Sequence, residues 1–444
     1  MGDRVAVIGL GYVGLTLATA LADVGYKVVG VEKRSEVVDC INAGKPHFSE
    51  SGLGEQLWHA INEGRLRAVR TLSGEPPFNV YIIAVGTPLS ADGAARLDYT
   101  EAATQQVADH MRDGALIILR STVKIGTARN AVSPILEASG KSFEIAMCPE
   151  RTLEGEALKE LRNLPQIIGA DSECTRDRAL HFFTKLTRTA VQVSSLETAE
   201  IIKLTDNNYR NVSFAFANEV ARICELYGVN AMEVINGGKL GYPRTNVALP
   251  GLVGGPCLEK DPHILWQSLN EKGLDLTITR AARQVNEDQP AETAAFIIGE
   301  FHRRQGERAP TIAVLGIAFK GIPATDDLRG SMALKVVRSL LAHVPDSVIR
   351  LYDPVADGAS LKAAAPECEV VDSVEQAIAG ADIAIIANNH PKFGSYRPRR
   401  MKELMSENGF IYDYWNHFSD LRPVELRGSY FALGNSKKPG GTWK

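Results

Sequence analysis

A chain of 444 residues, 45% apolar and 23% charged, is long enough for two or three domains with ordinary cores. Its net charge of −4 excludes a general binder of nucleic acid or of anionic membrane surfaces. The six cysteines are scattered with no CxxC or Cys/His cluster, which excludes a zinc site, and no apolar run is long enough to span a membrane.

The chain opens on a strand pattern instead of a signal peptide, so a cytoplasmic protein with reduced thiols is expected. Val5 to Ile8 is a continuous apolar run, the signature of a buried parallel strand. Gly9-Leu10-Gly11-Tyr12-Val13-Gly14, a GxGxxG, follows it. A helical pattern then runs from Leu15 to Val24, closed by Gly25, and a second strand pattern, Lys27 to Val31, ends in Glu32. The glycines alone are weak evidence; strand, glycines, helix, strand and an acid about 20 residues on are strong together. The first glycine makes the turn, the second admits a pyrophosphate to the backbone, and the third lets helix and strand close. The helix N-terminus then faces the phosphates. Glu32 would accept hydrogen bonds from ribose hydroxyls and repel a 2′-phosphate, favouring NAD over NADP; Lys33 and Arg34 beside it pull the other way.

Further strands come at α/β spacing. Val80 to Val85 runs into Gly86-Thr87-Pro88, Ala115 to Leu119 into Arg120-Ser121-Thr122, and Phe143 to Met147 into Cys148-Pro149-Glu150. Each puts small or polar residues past a strand's carboxyl end, where open α/β sheets bind ligands. Thr87, Thr122, Glu150 and Glu154 are therefore site candidates, while Pro88, Asp92 and Gly93 serve equally as turn residues. Pro165 to Ala170 and Ala190 to Val193 complete this set, and the first domain is expected to end near residue 195.

Leu196 to Tyr227 reads as one long helix, largely apolar but crossed by Lys203, Asn207, Arg210, Asn211 and Asn218. Lys203 and Asn207 share a face. A solvated stripe is the plain reading; the many amides on an apolar helix favour the polar lining of a cleft. A second helical pattern covers about 277 to 304, interrupted by Pro290. Apolar faces on these two helices offer a dimerisation surface. Between them lies Pro250 to Pro262, PGLVGGPCLEKDP, which surrounds Cys257 with glycines and sets Lys260 and Asp261 just after it. Buried cysteines are more often plain hydrophobes, but a thiol in a glycine loop near cations is suited to nucleophilic work.

The last third reads as a smaller α/β sheet. Thr311 to Leu315, Val348 to Tyr352, Ile383 to Ala387 and Phe410 to Tyr414 are its strands. Its first turn, Gly316-Ile317-Ala318-Phe319-Lys320, lacks GxGxxG and so argues against a second dinucleotide. Lys320 and Arg329 near a strand end suit a phosphate or diphosphate, although surface charge explains either one singly.

Taken together, these motifs resemble the UDP-glucose/GDP-mannose dehydrogenase family over nearly the whole chain. The likeness is carried by GLGYVG, VGTP with DG and LDY after it, ST at 121–122, PE at 149–150, AEIIKLTDNN, GGPCLEKDP, and GIAFK with TDDLRGS. It implies two doubly wound, Rossmann-like α/β domains joined by a long central helix and a helical dimerisation core. Residues 1–195 would bind NAD, 196–305 would carry the cysteine loop, and 306–444 would hold the nucleotide sugar. The implied reaction is oxidation of a sugar C6 alcohol to a carboxylate with two NAD.

Residue by residue, the resemblance makes Cys257 the thiol that captures the C6 aldehyde. Lys203 and Asp261, with Thr122 and a water, would manage the proton and the oxyanion. Asn207 would hold a sugar or water oxygen, and Glu154 would activate water against the thioester. The cofactor set is Gly9, Gly11, Tyr12, Val13, Gly14, Glu32, Arg34, Gly86, Thr87, Thr122, Glu150, Lys260 and Arg329. The substrate set is Glu154, Lys203, Asn207, Arg244, Gly254, Lys320 and Arg329, and no metal is implied. In relatives the arginine matching Arg244 reaches a substrate diphosphate, in some that of the neighbouring subunit. A homodimer, or a higher assembly of dimers, is thus implied.

Three departures stand out. Glu32 replaces the aspartate of many relatives, Ser51 the proline of an EPGL-like turn, and Pro256 the polar or aromatic residue usual before the cysteine. The stretch ERTLEGEALKELRNLPQIIG resembles the branch acting on N-acetylated hexosamines, so a UDP-hexose or UDP-N-acetylhexosamine is the expected substrate. GDP-mannose or a dTDP-sugar stays open, as does a two-electron hydroxy-acid dehydrogenase on the same fold. A non-enzymatic NAD-binding protein would have lost Lys203, Asn207, Cys257 and Asp261, which are all present.

Overall fold

The structure is a computed structural model and describes residues 4–90, 93–270, 272–418 and 428–435; the turn candidate Asp92 lies outside them. The chain divides into two units, one of residues 1–207 with 263–275 and the other of residues 208–262 with 276–444. No described helix is long and apolar enough to cross a membrane.

The first unit is built on an eight-stranded sheet. Its strands are β1 (Arg4–Ile8), β2 (Lys27–Val31), β3 (Leu66–Val69), β4 (Val80–Ile83), β5 (Ala115–Leu119), β6 (Phe143–Met147), β7 (Gln166–Gly169) and β8 (Ala190–Val193). They lie in the order β3-β2-β1-β4-β5-β6-β7-β8, parallel except where β6 meets β7. β1 pairs with β2 on one side and β4 on the other, so chain order reverses beside it and a crevice opens past its carboxyl end. Its apolar run is explained by burial on both faces. Val5 and Val7 join one core with Ile82 and Ile118, while Ala6 and Ile8 join the other with Ile83 and Ile117.

The second unit repeats the plan in six parallel strands: β9 (Thr311–Leu315), β10 (Val348–Tyr352), β11 (Glu369–Val370), β12 (Ile383–Ile386), β13 (Phe410–Asp413) and β14 (Tyr430–Ala432). Their order is β11-β10-β9-β12-β13-β14, with the reversal between β9 and β12. β3, β11 and β14 carry no clear strand signal, being short and only partly apolar.

The helix Leu196–Tyr227 starts in the first unit and ends in the second. The helix Thr277–Gln305 runs unbroken through Pro290, which corrects the expected interruption. Proline costs a helix interior about 3 kcal/mol. Here Ala294, Ile297, Ile298 and Phe301 of that helix bury against Val336, Val337 and Leu340, and the packing outweighs the local cost.

Candidate functional site

In the first unit the chain must turn at once from β1 into the helix Tyr12–Asp23. Gly9 does so at φ +93, its N–H donating to Val31 O at 2.8 Å. A Cβ on Gly14 would stand 1.8 Å from Gly9 O, so only glycine lets the helix close on the turn. Gly9 and Gly11 line a cavity of about 520 Å³ together with Glu32, Arg34, Gly86 and the apolar Val31, Ala84 and Ala103. A Cβ on Gly11 would meet nothing within 4 Å, so this backbone is open to a ligand. Burial pushes the Glu32 carboxyl up, but hydrogen bonds from the Arg34 side chain and backbone outweigh it and leave it below its usual range. Apolar walls, an ionised acid and a glycine turn opening a helix fit the adenine, ribose and pyrophosphate of NAD.

The loops after β4 and β5 are tied together. Thr87 Oγ1 donates to Thr122 O at 2.6 Å and Ser121 Oγ to Val85 O at 2.7 Å. After β6, Glu150 is buried, accepts from Arg120 Nη2 at 2.6 Å, and receives the N–H groups of Arg151 and Thr152, each at 2.7 Å. Burial would raise the Glu150 carboxyl; the Arg120 charge, these bonds and the nearby Lys203 hold it low. Glu150 therefore shapes the turn that leads to half-buried Glu154. Past Glu154, Gly155 N–H donates to Tyr12 Oη at 2.8 Å and to Glu50 Oε2 at 2.6 Å, and Ala157 N–H to Glu50 Oε1 at 2.9 Å. Neither Arg120 nor Glu50 was singled out from the sequence. A charge placed directly after an apolar strand was the signal for Arg120; for Glu50 it was its place as the acid of the EPGL-like turn noted at Ser51.

Lys203 and Asn207 are buried one turn apart on the long helix. A turn earlier, buried Glu200 receives the N–H groups of Gly126 and Ala128. With no cation bonded to it, burial wins and its carboxyl is pushed up to about 7. The rest of the polar row does not line a cleft, which corrects the sequence reading. Arg210 is exposed, whereas Asn211 and Asn218 are buried and bonded to Asn286, with Asn218 also holding the backbone of Gly251.

In the second unit Cys257 sits exposed on the short helical turn Gly255–Leu258. Gly255 takes φ +90 and its N–H donates to Gly330 O at 2.8 Å. A Cβ there would stand 2.4 Å from the Phe319 ring, and one on Gly254 would stand 2.4 Å from Gly330 O. The cysteine turn thus rests on the neighbours of Lys320 and Arg329. The Lys320 ammonium lies 5.3 Å from the Phe319 ring centre, and Arg329 is paired with Asp327 at 2.6 Å. Asp261 is buried, with Lys260 Nζ 3.3 Å from its carboxylate. Arg244 stacks on Tyr242, 4.5 Å from the ring, in an exposed loop.

The chain is similar to proteins already known. Three models of one family match it: the UDP-glucose/GDP-mannose dehydrogenase family NAD binding domain over residues 3–187, central domain over 197–288 and UDP binding domain over 313–420. It is 37% identical to the UDP-N-acetyl-D-mannosamine dehydrogenase of Pyrococcus horikoshii, covering 88% of this chain and 90% of that one. It is 33% identical to the NDP-N-acetyl-D-galactosaminuronic acid dehydrogenase of Ralstonia nicotianae, over 88% and 91% of the two chains. The solved structure of the Pyrococcus horikoshii UDP-D-ManNAc dehydrogenase superimposes with a TM-score of 0.87 at 34% identity, covering 98% of this chain and all of that one.

Proposed function

Because the chain belongs to the UDP-glucose/GDP-mannose dehydrogenase family and is an NAD-dependent nucleotide-sugar dehydrogenase, we propose that it oxidises the C6 alcohol of a UDP-N-acetylhexosamine to the uronate through a thioester on Cys257. UDP-N-acetyl-D-mannosamine is the first substrate to try, since 88% of the chain aligns with a dehydrogenase of that name.

NAD supplies a hydride acceptor for each of two oxidations. The first turns the alcohol into an aldehyde. The Cys257 thiolate then adds to the aldehyde carbon and forms a C–S bond, which keeps the aldehyde from escaping. Loss of a second hydride converts this adduct to the thioester. Water adds to the thioester carbon, the C–S bond breaks, and the thiolate returns. One alcohol, one water and two NAD give one carboxylate, two NADH and three protons.

Lys203 donates to the developing oxyanion, an effect worth about 3 kcal/mol for one well-placed donor. Asp261 and Thr122 help to hold the proton and a water, and Asn207 holds a sugar or water oxygen. Glu154 takes a proton from the attacking water. Lys320 and Arg329 bind the diphosphate. The observation that carries this reading is the seat of the cysteine turn: the thiol is borne by backbone resting on the segments that hold Lys320 and Arg329. A sugar linked to a nucleotide held there lies within reach of Cys257.

The chain acts as a homodimer on this reading. Tyr209, Phe216 and Ile223 recur every seven residues on the long helix and are 69%, 54% and 54% exposed, an apolar stripe suited to a second copy of the same helix. Light scattering on a Phe216→Glu variant should show a monomer where the parent is a dimer.

The reaction is tested by assaying UDP-, GDP- and dTDP-sugars and counting NADH per sugar. Two NADH from UDP-N-acetyl-D-mannosamine, and one from Cys257→Ser with trappable aldehyde, are expected. Carboxylate formed by Cys257→Ser at the parent rate would remove the thioester.

A further inference from the structure

The exposed thiol stands on a loop whose backbone is gripped from within the second unit. Two long helices do the gripping, through four side chains all buried: Asn211 and Asn218 from one, Arg283 and Asn286 from the other. Each pair shares a helix face, seven and three residues apart. Asn218 meets Gly251 as a second backbone strand would, accepting its N–H at 2.9 Å and donating to its carbonyl at 3.1 Å. The same Nδ2 donates to Asn286 Oδ1 at 3.0 Å, and Asn286 Nδ2 donates to Asn211 Oδ1 at 3.0 Å and to its carbonyl at 3.1 Å. Arg283 completes the row. Its Nη1 donates to Leu258 O at 2.9 Å and to Asn211 Oδ1 at 3.4 Å, and its Nη2 donates to Val253 O at 3.3 Å.

A polar row that merely satisfied itself could end among its own side chains. This one ends on three loop positions, 251, 253 and 258, that bracket Cys257. Gly255 N–H is held separately by Gly330 O at 2.8 Å. Trp415 closes against Gly251, where a Cβ would stand 2.7 Å from its ring. The backbone that carries the thiol is thus fixed on both flanks, while Cys257 itself is exposed.

We infer that Arg283 and the Asn218–Asn286–Asn211 row are positioning residues for Cys257, holding its backbone so that the thiol meets the aldehyde before it departs. The inference rests on the thioester reading above. Thiol capture needs reacting atoms about 3–3.5 Å apart, and a misplacement of about 1 Å costs on the order of 100-fold in rate. The first hydride transfer needs no thiol, so a displaced loop has a selective signature.

The test uses full-length Arg283→Lys, which keeps the charge but loses the two-pronged fork, and Asn218→Ala, which releases Gly251. Single-turnover NADH formation is followed with UDP-N-acetyl-D-mannosamine and an aldehyde trap. The expected result is a first NADH at the parent rate and a second slowed on the order of 10- to 100-fold. Aldehyde collects in the trap, and KM for both ligands is little changed. Iodoacetamide labelling of Cys257, read by peptide mass in the absence of NAD, should change in rate in the same variants. Ile298→Ala, a core change away from the row, serves as the destabilised control and should keep the parent ratio of the two steps and the parent labelling rate. Equal slowing of both steps, or parent behaviour in both folded variants, overturns the inference while leaving the thioester intact. If either variant fails to fold, the other carries the test; if neither folds, the row is only structural and the inference fails. One NADH per sugar from the parent enzyme overturns the thioester reading itself, and this inference with it.

Discussion

The first turns of the two sheets make the same backbone move and then part. Gly9 at φ +93 donates to Val31 O, and Gly316 at φ +88 donates to Tyr352 O, both at 2.8 Å. In the first unit Gly14 then lets a helix start at Tyr12, whose opening N–H groups have no acceptor inside the helix. In the second, residues 317–331 intervene before the helix Met332–His343. The acids past the second strands differ in the same sense. Glu32 faces a cavity, while buried Asp353 accepts Ile317 N–H at 2.7 Å, Ala318 N–H at 2.9 Å, Val355 N–H at 2.8 Å and Ala356 N–H at 2.9 Å. One topology therefore yields two kinds of anion site. In the first, the turn leaves backbone amides and a helix terminus for the phosphates of the proposed NAD site. In the second Asp353 has taken the amides, which is why the proposed function gives the diphosphate to Lys320 and Arg329.

The strongest way to break this comparison is Gly14→Ala. The added Cβ collides with Gly9 O, and NAD affinity should fall at least about 100-fold, close to 3 kcal/mol. Calorimetric titration checks this, and parent-like NAD binding would show that the turn is not the pyrophosphate cradle. Next comes Asp353→Ala, which strips four backbone donors of their acceptor. It should cost on the order of 3 kcal/mol of stability in denaturant unfolding. An unchanged midpoint would mean those N–H groups find water, and the contrast with Glu32 would lose its basis.

Glu200 sharpens the contrast, because it is a buried acid bonded to loop N–H groups in the first unit, with burial dominant. Its folded value of about 7 lies above the unfolded 4.5. The folded state therefore holds a proton that the unfolded state has lost. Its contribution to stability is full below about pH 4.5, falls as pH rises to about 7, and is flat above. The span is on the order of 3 kcal/mol. Glu200→Gln should flatten that limb of the stability–pH curve; a parallel curve would show that Glu200 is ionised throughout. The smallest effect is expected of Glu32→Gln. It should leave the unfolding midpoint in place, weaken NAD by about 1 kcal/mol and narrow the preference for NAD over NADP. A ratio of kcat/KM for the two cofactors that did not move would assign the discrimination elsewhere.

Much of the fold could be read in one dimension. β2, β5, β6, β8, β9 and β10 fall on the residues expected of them: β5 is an unbroken apolar run buried throughout, and each of the others carries a single polar side chain in an otherwise apolar run. β3, β11 and β14 escaped, since a short strand with mixed polarity is defined by its neighbour and not by its own pattern. Pro290 misled for the opposite reason: a local breaker was outweighed by packing that no local pattern reveals.

The candidate site divides the same way. The glycine turn and Glu32 were legible, since a tight turn into a helix with an acid after the next strand requires particular residue types at fixed spacing, and they do line one cavity. Lys203, Asn207 and the cysteine loop were found by the same kind of pattern, and their roles belong to the proposed function. Arg120, Glu50 and Arg283 were not, because a buried charge takes its meaning from a partner far along the chain. Arg120 meets Glu150 and Gln166, Glu50 meets Gly155, and Arg283 meets Val253 and Leu258. Asn211 and Asn218 were seen but misread, for an amide on an apolar helix looks alike whether it lines a cleft or holds a loop.

What the amino-acid order determined by itself was the set of chemical parts: most of the strands, the glycine turn with its acid, a thiol in a glycine loop, and a lysine and an asparagine one helical turn apart. Short-range geometry sets these, through φ, periodicity and the spacing of a turn. What only the tertiary structure decided was which polar groups are spent on backbone and which are left for a ligand. That allocation depends on burial, and burial is a property of the packed chain.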